Sequence, residues 1–145
     1  MTPSQRGQRR FVLDANALIS LLENRGGAAE RVRRIIEDAS RNGLPILLSA
    51  VNWGEVICAV AHRQGLSAAT ELLNKLSGLR IAVVPCSSED AAEAALFKAR
   101  YKIPYADAFA ACLAKQNSAA LVTADYDFKT IPAGMLKIEF LPRKS

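Results

Sequence analysis

Short apolar runs alternate with longer segments of mixed apolar and polar residues along the whole chain. Short apolar runs are typical of buried strands, whereas apolar residues that recur with helical spacing indicate amphipathic helices. We predict strands at 11–13, 45–49, 81–84, 119–123 and 136–140. We predict a first helix that begins near Asn16, further helices at 28–41, 51–64 and 67–76, one opened by Ser87 or Ser88 and reaching 101, and one at 104–116.

This alternation of strands and helices predicts the fold class. Crossover connections between successive strands favour a parallel sheet with helices on both faces. We therefore expect an α/β protein, a three-layer α/β/α sandwich with a central, mainly parallel sheet of four to five strands. No linker or internal repeat divides the chain, so 11–145 is predicted to form one domain after a flexible basic tail at 1–10.

Residues at the helix ends predict where several helices begin and stop. Asn16 and Ser67 carry side chains of the kind that cap helix N-termini. The glycine pair at 26–27 is expected to end the first helix. Pro104 suits the first position of the last helix, whose many alanines would allow close packing on the sheet.

Composition narrows the functional class only slightly. Lys and Arg number 19 against 14 Asp and Glu, a net charge of +5 that is compatible with a nucleic-acid partner. The three cysteines form no CxxC pair, which argues against a zinc or disulfide framework and suits a reducing cytoplasm. No stretch approaches the roughly 20 apolar residues that a membrane helix needs. We expect a soluble, cytoplasmic protein.

Four acidic residues stand at one edge of the predicted sheet. Open parallel sheets bind their ligands beyond the carboxyl ends of the strands. Asp14 directly follows the first predicted strand, and Asp125 follows the fourth. Glu55 and Asp107 lie in the first turns of two helices that would hold them over the same edge. We therefore expect the four carboxylates to meet.

A cluster of carboxylates favours a bound cation. Neighbouring carboxylates raise one another's pKa, and burying several together is costly without a positive charge. Carboxylates are ligands that Mg²⁺ and Mn²⁺ favour, and such ions can activate water for attack on a phosphodiester. Three of the acids also have a structural interpretation, Asp107 as a complement to a helix dipole and Asp14 or Asp125 as turn residues, whereas Glu55 stands among apolar neighbours without a Lys or Arg at helical spacing before it. Their occurrence together favours the metal site.

Four short segments, 12–16, 49–56, 107–108 and 122–128, together resemble the PIN domain family. In length and layout the chain is most similar to the VapC-type toxins of bacterial and archaeal toxin–antitoxin pairs. The resemblance spans about 11–140. Each segment alone is a weak indication of the family, whereas four segments in this order and spacing form a fairly specific signature. It implies a three-layer α/β/α fold and an endoribonuclease that depends on Mg²⁺ or Mn²⁺.

The resemblance also implies roles for individual residues. The catalytic and metal-binding quartet of the family maps onto Asp14, Glu55, Asp107 and Asp125. The positions that match polar helpers or a second acid are Asn16, Thr123 and Asp127. Asn16 can equally be only a helix cap, and Thr123 only a strand-end residue. Gly54 lies inside a predicted helix, which glycine weakens. Because it has no side chain, a backbone or substrate could approach closely there.

The resemblance implies RNA as the substrate, a cognate VapB-like antitoxin that obstructs the site, a homodimer and no membrane partner. Two alternatives stay open. A free-standing PIN nuclease in RNA processing would need no antitoxin, and a neighbouring antitoxin gene would distinguish the two. A non-catalytic receiver-like signalling module also binds Mg²⁺ through aspartates after its first strand, although Asp14 has no acidic neighbour. RNA cleavage would exclude that module.

Overall fold

The central sheet has five strands, all paired in parallel. A computed structural model describes residues 9–143. The strands are β1 (Phe11–Leu13), β2 (Ile46–Ser49), β3 (Ile81–Val84), β4 (Ala120–Thr123) and β5 (Ile138–Phe140). They lie in the order β3-β2-β1-β4-β5, with Leu13 level with Leu48 of β2 and Val122 of β4. The predicted α/β class and parallel sheet are confirmed.

Six α-helices connect these strands. They are α1 (Ala15–Leu22), α2 (Gly26–Arg41), α3 (Ala50–Gln64), α4 (Leu66–Lys75), α5 (Ser88–Tyr101) and α6 (Tyr105–Gln116). Two short 3₁₀ helices, Leu76–Gly78 and Tyr126–Thr130, follow α4 and β4. The second was not predicted, because its residues match the site motif and carry no helical apolar pattern.

The sheet separates two apolar cores. Successive side chains of a strand point to opposite faces, so Leu13 packs in the core with α1 to α4 while Val12 packs with α5 and α6. Val122 and Leu121 of β4 divide between the same two cores. Both faces of the sheet are therefore covered by helices, which is the expected three-layer sandwich.

Helix α6 lies close against the sheet. Every residue from 108 to 114 is buried, and four of these seven are alanines. Small side chains let the helix axis approach the strands, and Pro104 stands immediately before the helix at its cap position. Pro104 was predicted as the first helical residue, so the boundary differs by one position.

Three predicted helix ends are wrong. Asp14, and not Asn16, caps α1, because an acid directly after a strand has extended backbone and reaches the Ala17 N–H. The glycine pair at 26–27 opens α2 and does not end α1, since the reversal occurs at Asn24 and Gly26, both with positive φ. Ser67 lies inside α4, which begins after Gly65 without a side-chain cap.

The predicted basic tail falls mostly outside the described residues. Residues 1–8 are not described, and Arg9 is exposed. Arg10 is joined to the sheet, because its carbonyl accepts a hydrogen bond of 2.8 Å from the Ala120 N–H. Within residues 9–143, hydrogen bonding to the sheet therefore begins at residue 10.

Candidate metal and nuclease site

The strand order locates the crevice in which a ligand is expected. The chain winds from β1 through β2 to β3 on one side of the sheet and from β4 to β5 on the other. Such a sheet binds ligands where the winding direction reverses, beyond the carboxyl ends of the two strands concerned. Here those strands are β1 and β4, and the residues that follow them include Asp14 and Asp125.

Asp14 is a buried carboxylate held by two hydrogen bonds. Its side chain is 1% exposed, and its Oδ1 accepts a bond of 2.8 Å from the Ala17 N–H. Its Oδ2 accepts a bond from the Thr123 hydroxyl. Burial raises the pKa of Asp14 to about 7, and the charges of Asp125 and Glu55 add to that rise against these two hydrogen bonds. The pKa of this carboxyl group therefore lies near neutral pH and well above its ordinary value.

Thr123 connects two of the acids. It is fully buried at the end of β4, where its hydroxyl donates to Asp14 and accepts a bond of 2.9 Å from the Asp125 N–H. A valine of the same shape could make neither bond. Thr123 was predicted as a polar helper or a strand-end residue, and the structure gives it a position that fits both descriptions.

Asp125 is fixed by the turn that follows β4. Its Oδ1 accepts a bond of 2.9 Å from the Asp127 N–H and so caps the 3₁₀ helix Tyr126–Thr130. Asp127 itself is exposed and reaches the site only through this backbone bond. Asn16 is exposed in the first turn of α1 and makes no side-chain hydrogen bond within residues 9–143.

Asp107 lies within electrostatic reach of the other three acids. It is half-buried in the first turn of α6. Burial first, then the charges of Asp14 and Asp125, a hydrogen bond with Asp125 and the charge of Glu55 raise the pKa of Asp107 to about 7. The charges of the four acids that the sequence singled out therefore act on one another.

Asn52 supports Glu55 and was missed by the sequence analysis. Glu55 is exposed in α3, and its Oε1 accepts a bond of 3.0 Å from Nδ2 of the fully buried Asn52. The same Nδ2 donates over 3.0 Å to the carbonyl of Ala106, next to Asp107. The available signal was an amide three residues before an acid, on the same face of an apolar helix.

The donors at this edge fit a hard divalent cation. Within residues 9–143, no three acidic, histidine or cysteine side chains already surround one point as a metal site would require. The four side chains are nevertheless all carboxylates, and two of them have pKa values raised to about 7 by burial and by one another. A cation would relieve that repulsion, and oxygen donors suit Mg²⁺ or Mn²⁺.

Sequence comparison identifies the family. The PIN domain model matches residues 11–134, so the chain belongs to the PIN domain family. A search of curated proteins found no match. The matched range contains all four acids together with Asn52 and Thr123.

Solved structures share the fold. The toxin–antitoxin complex VapBC2 of Rickettsia felis, bound to a promoter DNA fragment, matches with a TM-score of 0.68 and 17% identity, covering 91% of this chain and 98% of that one. VapC20 of Mycobacterium tuberculosis, a toxin that cleaves the sarcin–ricin loop, gives 0.61 and 17%, covering 91% and 99%. FitAcB of Neisseria gonorrhoeae gives 0.57 and 25%, covering 88% and 95%.

The strand order bears on the receiver-like alternative. A receiver-like module has the strand order 2-1-3-4-5, whereas this sheet has the order β3-β2-β1-β4-β5. The receiver-like prediction is therefore wrong at the level of topology.

Among the helices of the described residues, none is long and apolar enough to cross a membrane.

Proposed function

We propose that this protein is a divalent-metal-dependent endoribonuclease that acts as the toxin of a toxin–antitoxin pair. The observation that carries the proposal is that four carboxylates from four elements, two of them at the crevice between β1 and β4, repel one another. Burial and mutual repulsion raise the pKa of two of them, Asp14 and Asp107, to about 7. An arrangement so unfavourable without a cation is expected where a cation is part of the function.

Two of the four acids are held by a neighbouring polar side chain. Asp14, Glu55, Asp107 and Asp125 would hold Mg²⁺ or Mn²⁺, which supplies Lewis acidity for hydrolysis of a phosphodiester bond. Thr123 orients Asp14, and Asn52 orients Glu55. Such supporting contacts keep metal-binding oxygens in place and typically contribute 10- to 100-fold to metal affinity or activity. Asn16 and Asp127, which are exposed, are proposed as secondary polar groups beside the acidic site.

RNA is the substrate that the surroundings support. The chain carries a net charge of +5, which favours a polyanion once the acids are neutralised by a cation. The solved structures of the same fold include toxin–antitoxin complexes and a toxin that cleaves ribosomal RNA at its sarcin–ricin loop. We therefore propose a VapB-like antitoxin as partner, a homodimer as the active form and the cytoplasm as the location.

The decisive experiment measures metal-dependent cleavage. Purified protein, Asp14→Asn and the matched control Asp38→Asn are incubated with total cellular RNA in Mg²⁺, in Mn²⁺ and in chelator. Asp38 is an exposed acid of α2 that pairs with Arg41 on the protein surface. We expect cleavage by the native protein and by Asp38→Asn only with metal, and none by Asp14→Asn. Equal cleavage by all three proteins would identify a contaminating nuclease.

A second experiment distinguishes a toxin from a free-standing processing nuclease. Expression of the chain alone should arrest growth, and co-expression with a small antitoxin encoded beside it should restore growth. The Asp14→Asn variant should be harmless while still binding that antitoxin. Metal-dependent cleavage without growth arrest, and without an antitoxin gene beside this one, would favour the processing nuclease.

A further inference from the structure

An open groove adjoins the acidic site on the β4–β5 side of the sheet. Its volume is about 520 Å³. One wall comes from the end of α1 and the start of α2, and the other from the segments after β4 and β5. The groove is lined by Ser20, Glu23, Arg25, Ala28, Ala124, Tyr126, Pro142 and Arg143.

The groove opens beside the proposed catalytic acids. Ala124, in one wall, directly precedes Asp125. The walls come together at Gly27 and Pro142, where a Cβ added to Gly27 would lie only 3.3 Å from the Pro142 Cγ. A strand of nucleic acid leaving the acidic cluster on this side would therefore enter the groove.

The charge of the groove is opposite to that of the catalytic cluster. Arg25 and Arg143 line it, and the only carboxylate among the lining residues is Glu23, which bridges Arg25 and Arg63. Arg143 has no carboxylate partner within residues 9–143, and its guanidinium lies 4.2 Å from the centroid of the Tyr126 ring. Lys129 lies 4.9 Å from the same centroid, also without an acidic partner in that range.

Unlike Arg143, the arginines of α2 have carboxylate partners. Arg33 and Arg34 pair with Glu30, Arg41 pairs with Asp38, and Arg31 pairs with Glu139. Their charges are largely balanced on the helix surface. Arg143 at the groove has no such carboxylate partner within residues 9–143, so its charge remains available to a ligand.

The wall formed by α1 and α2 contains hydrogen-bond donors without partners. Ser20 is 1% exposed and lines the groove, yet its hydroxyl makes no hydrogen bond within the described part of the chain. The first turn of α2 has no side-chain cap either. Uncapped N–H groups at a helix start, with the positive end of the helix dipole, favour an oxyanion.

We propose that this groove binds a backbone phosphate of the RNA strand beside the bond that is cut. The proposal rests on the proposed ribonuclease function and adds the means of holding the substrate. Four carboxylates repel a polyanion, so affinity for RNA has to come from cations outside the cluster. Arg143 supplies an unpaired planar donor suited to phosphate, Arg25 adds a positive charge whose partner Glu23 it shares with Arg63, and the Ser20 hydroxyl supplies a neutral donor.

The test measures RNA binding separately from cleavage. A fluorescein-labelled single-stranded RNA oligonucleotide is titrated by anisotropy at several salt concentrations into Asp14→Asn protein, which should not cut it. Arg143→Gln, Arg25→Gln and Ser20→Ala are added singly to this background. The matched control is Arg34→Gln, an exposed arginine of α2 outside the groove.

We expect each arginine substitution in the groove to weaken binding about 5- to 10-fold. Each should also reduce the salt dependence by about 0.7 in the logarithmic slope, the value for one lost phosphate contact on a single strand. Ser20→Ala should weaken binding without changing that slope, because the hydroxyl is uncharged. Arg34→Gln should change binding less than twofold. Arg143 follows the last strand, so its substitution leaves both cores intact.

Equal effects of the groove and control substitutions would overturn the proposal. Failure of the nuclease function is distinguishable, because the native protein would then not cleave RNA with either metal, whatever the binding titrations gave. In the native background, Arg143→Gln should raise KM for RNA and leave kcat nearly unchanged. A fall in kcat at unchanged KM would also contradict a role in holding the strand.

Discussion

Asp14→Asn should abolish RNA cleavage and at the same time stabilise the metal-free protein. The substitution keeps the size of the side chain and its role as the cap of α1, since Asn caps helices about as well as Asp. The amide oxygen can still accept from the Ala17 N–H. What disappears is a negative charge that is buried and that faces Asp125 and Glu55.

The magnitude follows from the pKa of Asp14. A rise from 3.8 to about 7 means that ionised Asp14 destabilises the folded, metal-free state by about 4 kcal/mol. The altered hydrogen bond to Thr123 should cost about 1 kcal/mol. We therefore expect Asp14→Asn to be more stable by about 3 kcal/mol near pH 8.

The pH dependence gives the sign of the effect. A carboxyl group whose pKa is raised by folding takes up a proton on folding between its unfolded and folded pKa values. The free energy of unfolding of the native protein should therefore fall as the pH rises from about 4 to about 7. The Asp14→Asn variant lacks this contribution, so its advantage should be small near pH 4 and full above pH 7.

Urea unfolding in chelator, followed by circular dichroism at several pH values, measures this difference. Added Mg²⁺ should stabilise the native protein and have a much smaller effect on Asp14→Asn, because the cation removes the repulsion only where the ligand is present. A variant that is less stable than the native protein at pH 8, or an advantage independent of pH, would refute the reasoning.

Substitutions at three further positions test the support of the site and one backbone position. Thr123→Val should reduce Mg²⁺-dependent cleavage about 10- to 100-fold, while Thr123→Ser retains it; initial rates over a Mg²⁺ titration measure this. Asn52→Ala should raise the Mg²⁺ concentration needed for half-maximal cleavage about tenfold, with thermal unfolding as the check that it folds, and an unchanged requirement would contradict the support of Glu55. Gly54→Ala should stabilise α3 by about 0.5–1 kcal/mol in urea unfolding, because an added Cβ meets nothing within 4 Å; unchanged activity would exclude a close substrate approach there.

Much of the fold could be predicted from local pattern. The strands at 11–13 and 81–84 were placed at their observed ends, because apolar runs bounded by polar residues are unambiguous at that length. Helix ends were less predictable, since several residues near each end can cap. Asp14 was identified as a candidate metal ligand and was therefore overlooked as the cap of α1. Its Oδ1 accepts from the Ala17 N–H as the cap, while its Oδ2 accepts from Thr123.

The candidate site was predictable as a set of acids, but its supports were not. Strand-end position singled out Asp14 and Asp125, and position in the first turns of two helices singled out Glu55 and Asp107. The contact of Asn52 with the Ala106 carbonyl joins residues 54 positions apart, and no local pattern reports such a distance. The groove could not be predicted from the sequence either, because its walls come from three separated stretches of chain.

The hydrogen bond between Thr123 and Asp14 joins residues 109 positions apart and lies between the adjacent strands β1 and β4. A parallel pair so distant in sequence cannot form before the intervening chain has been synthesised, and such non-local pairing is slow. During synthesis, Asp14 emerges from the ribosome long before β4 does. A growing chain therefore cannot assemble the four acids until Asp125 itself has been synthesised, so RNA cleavage is expected only after the segment from β1 through β4 is complete.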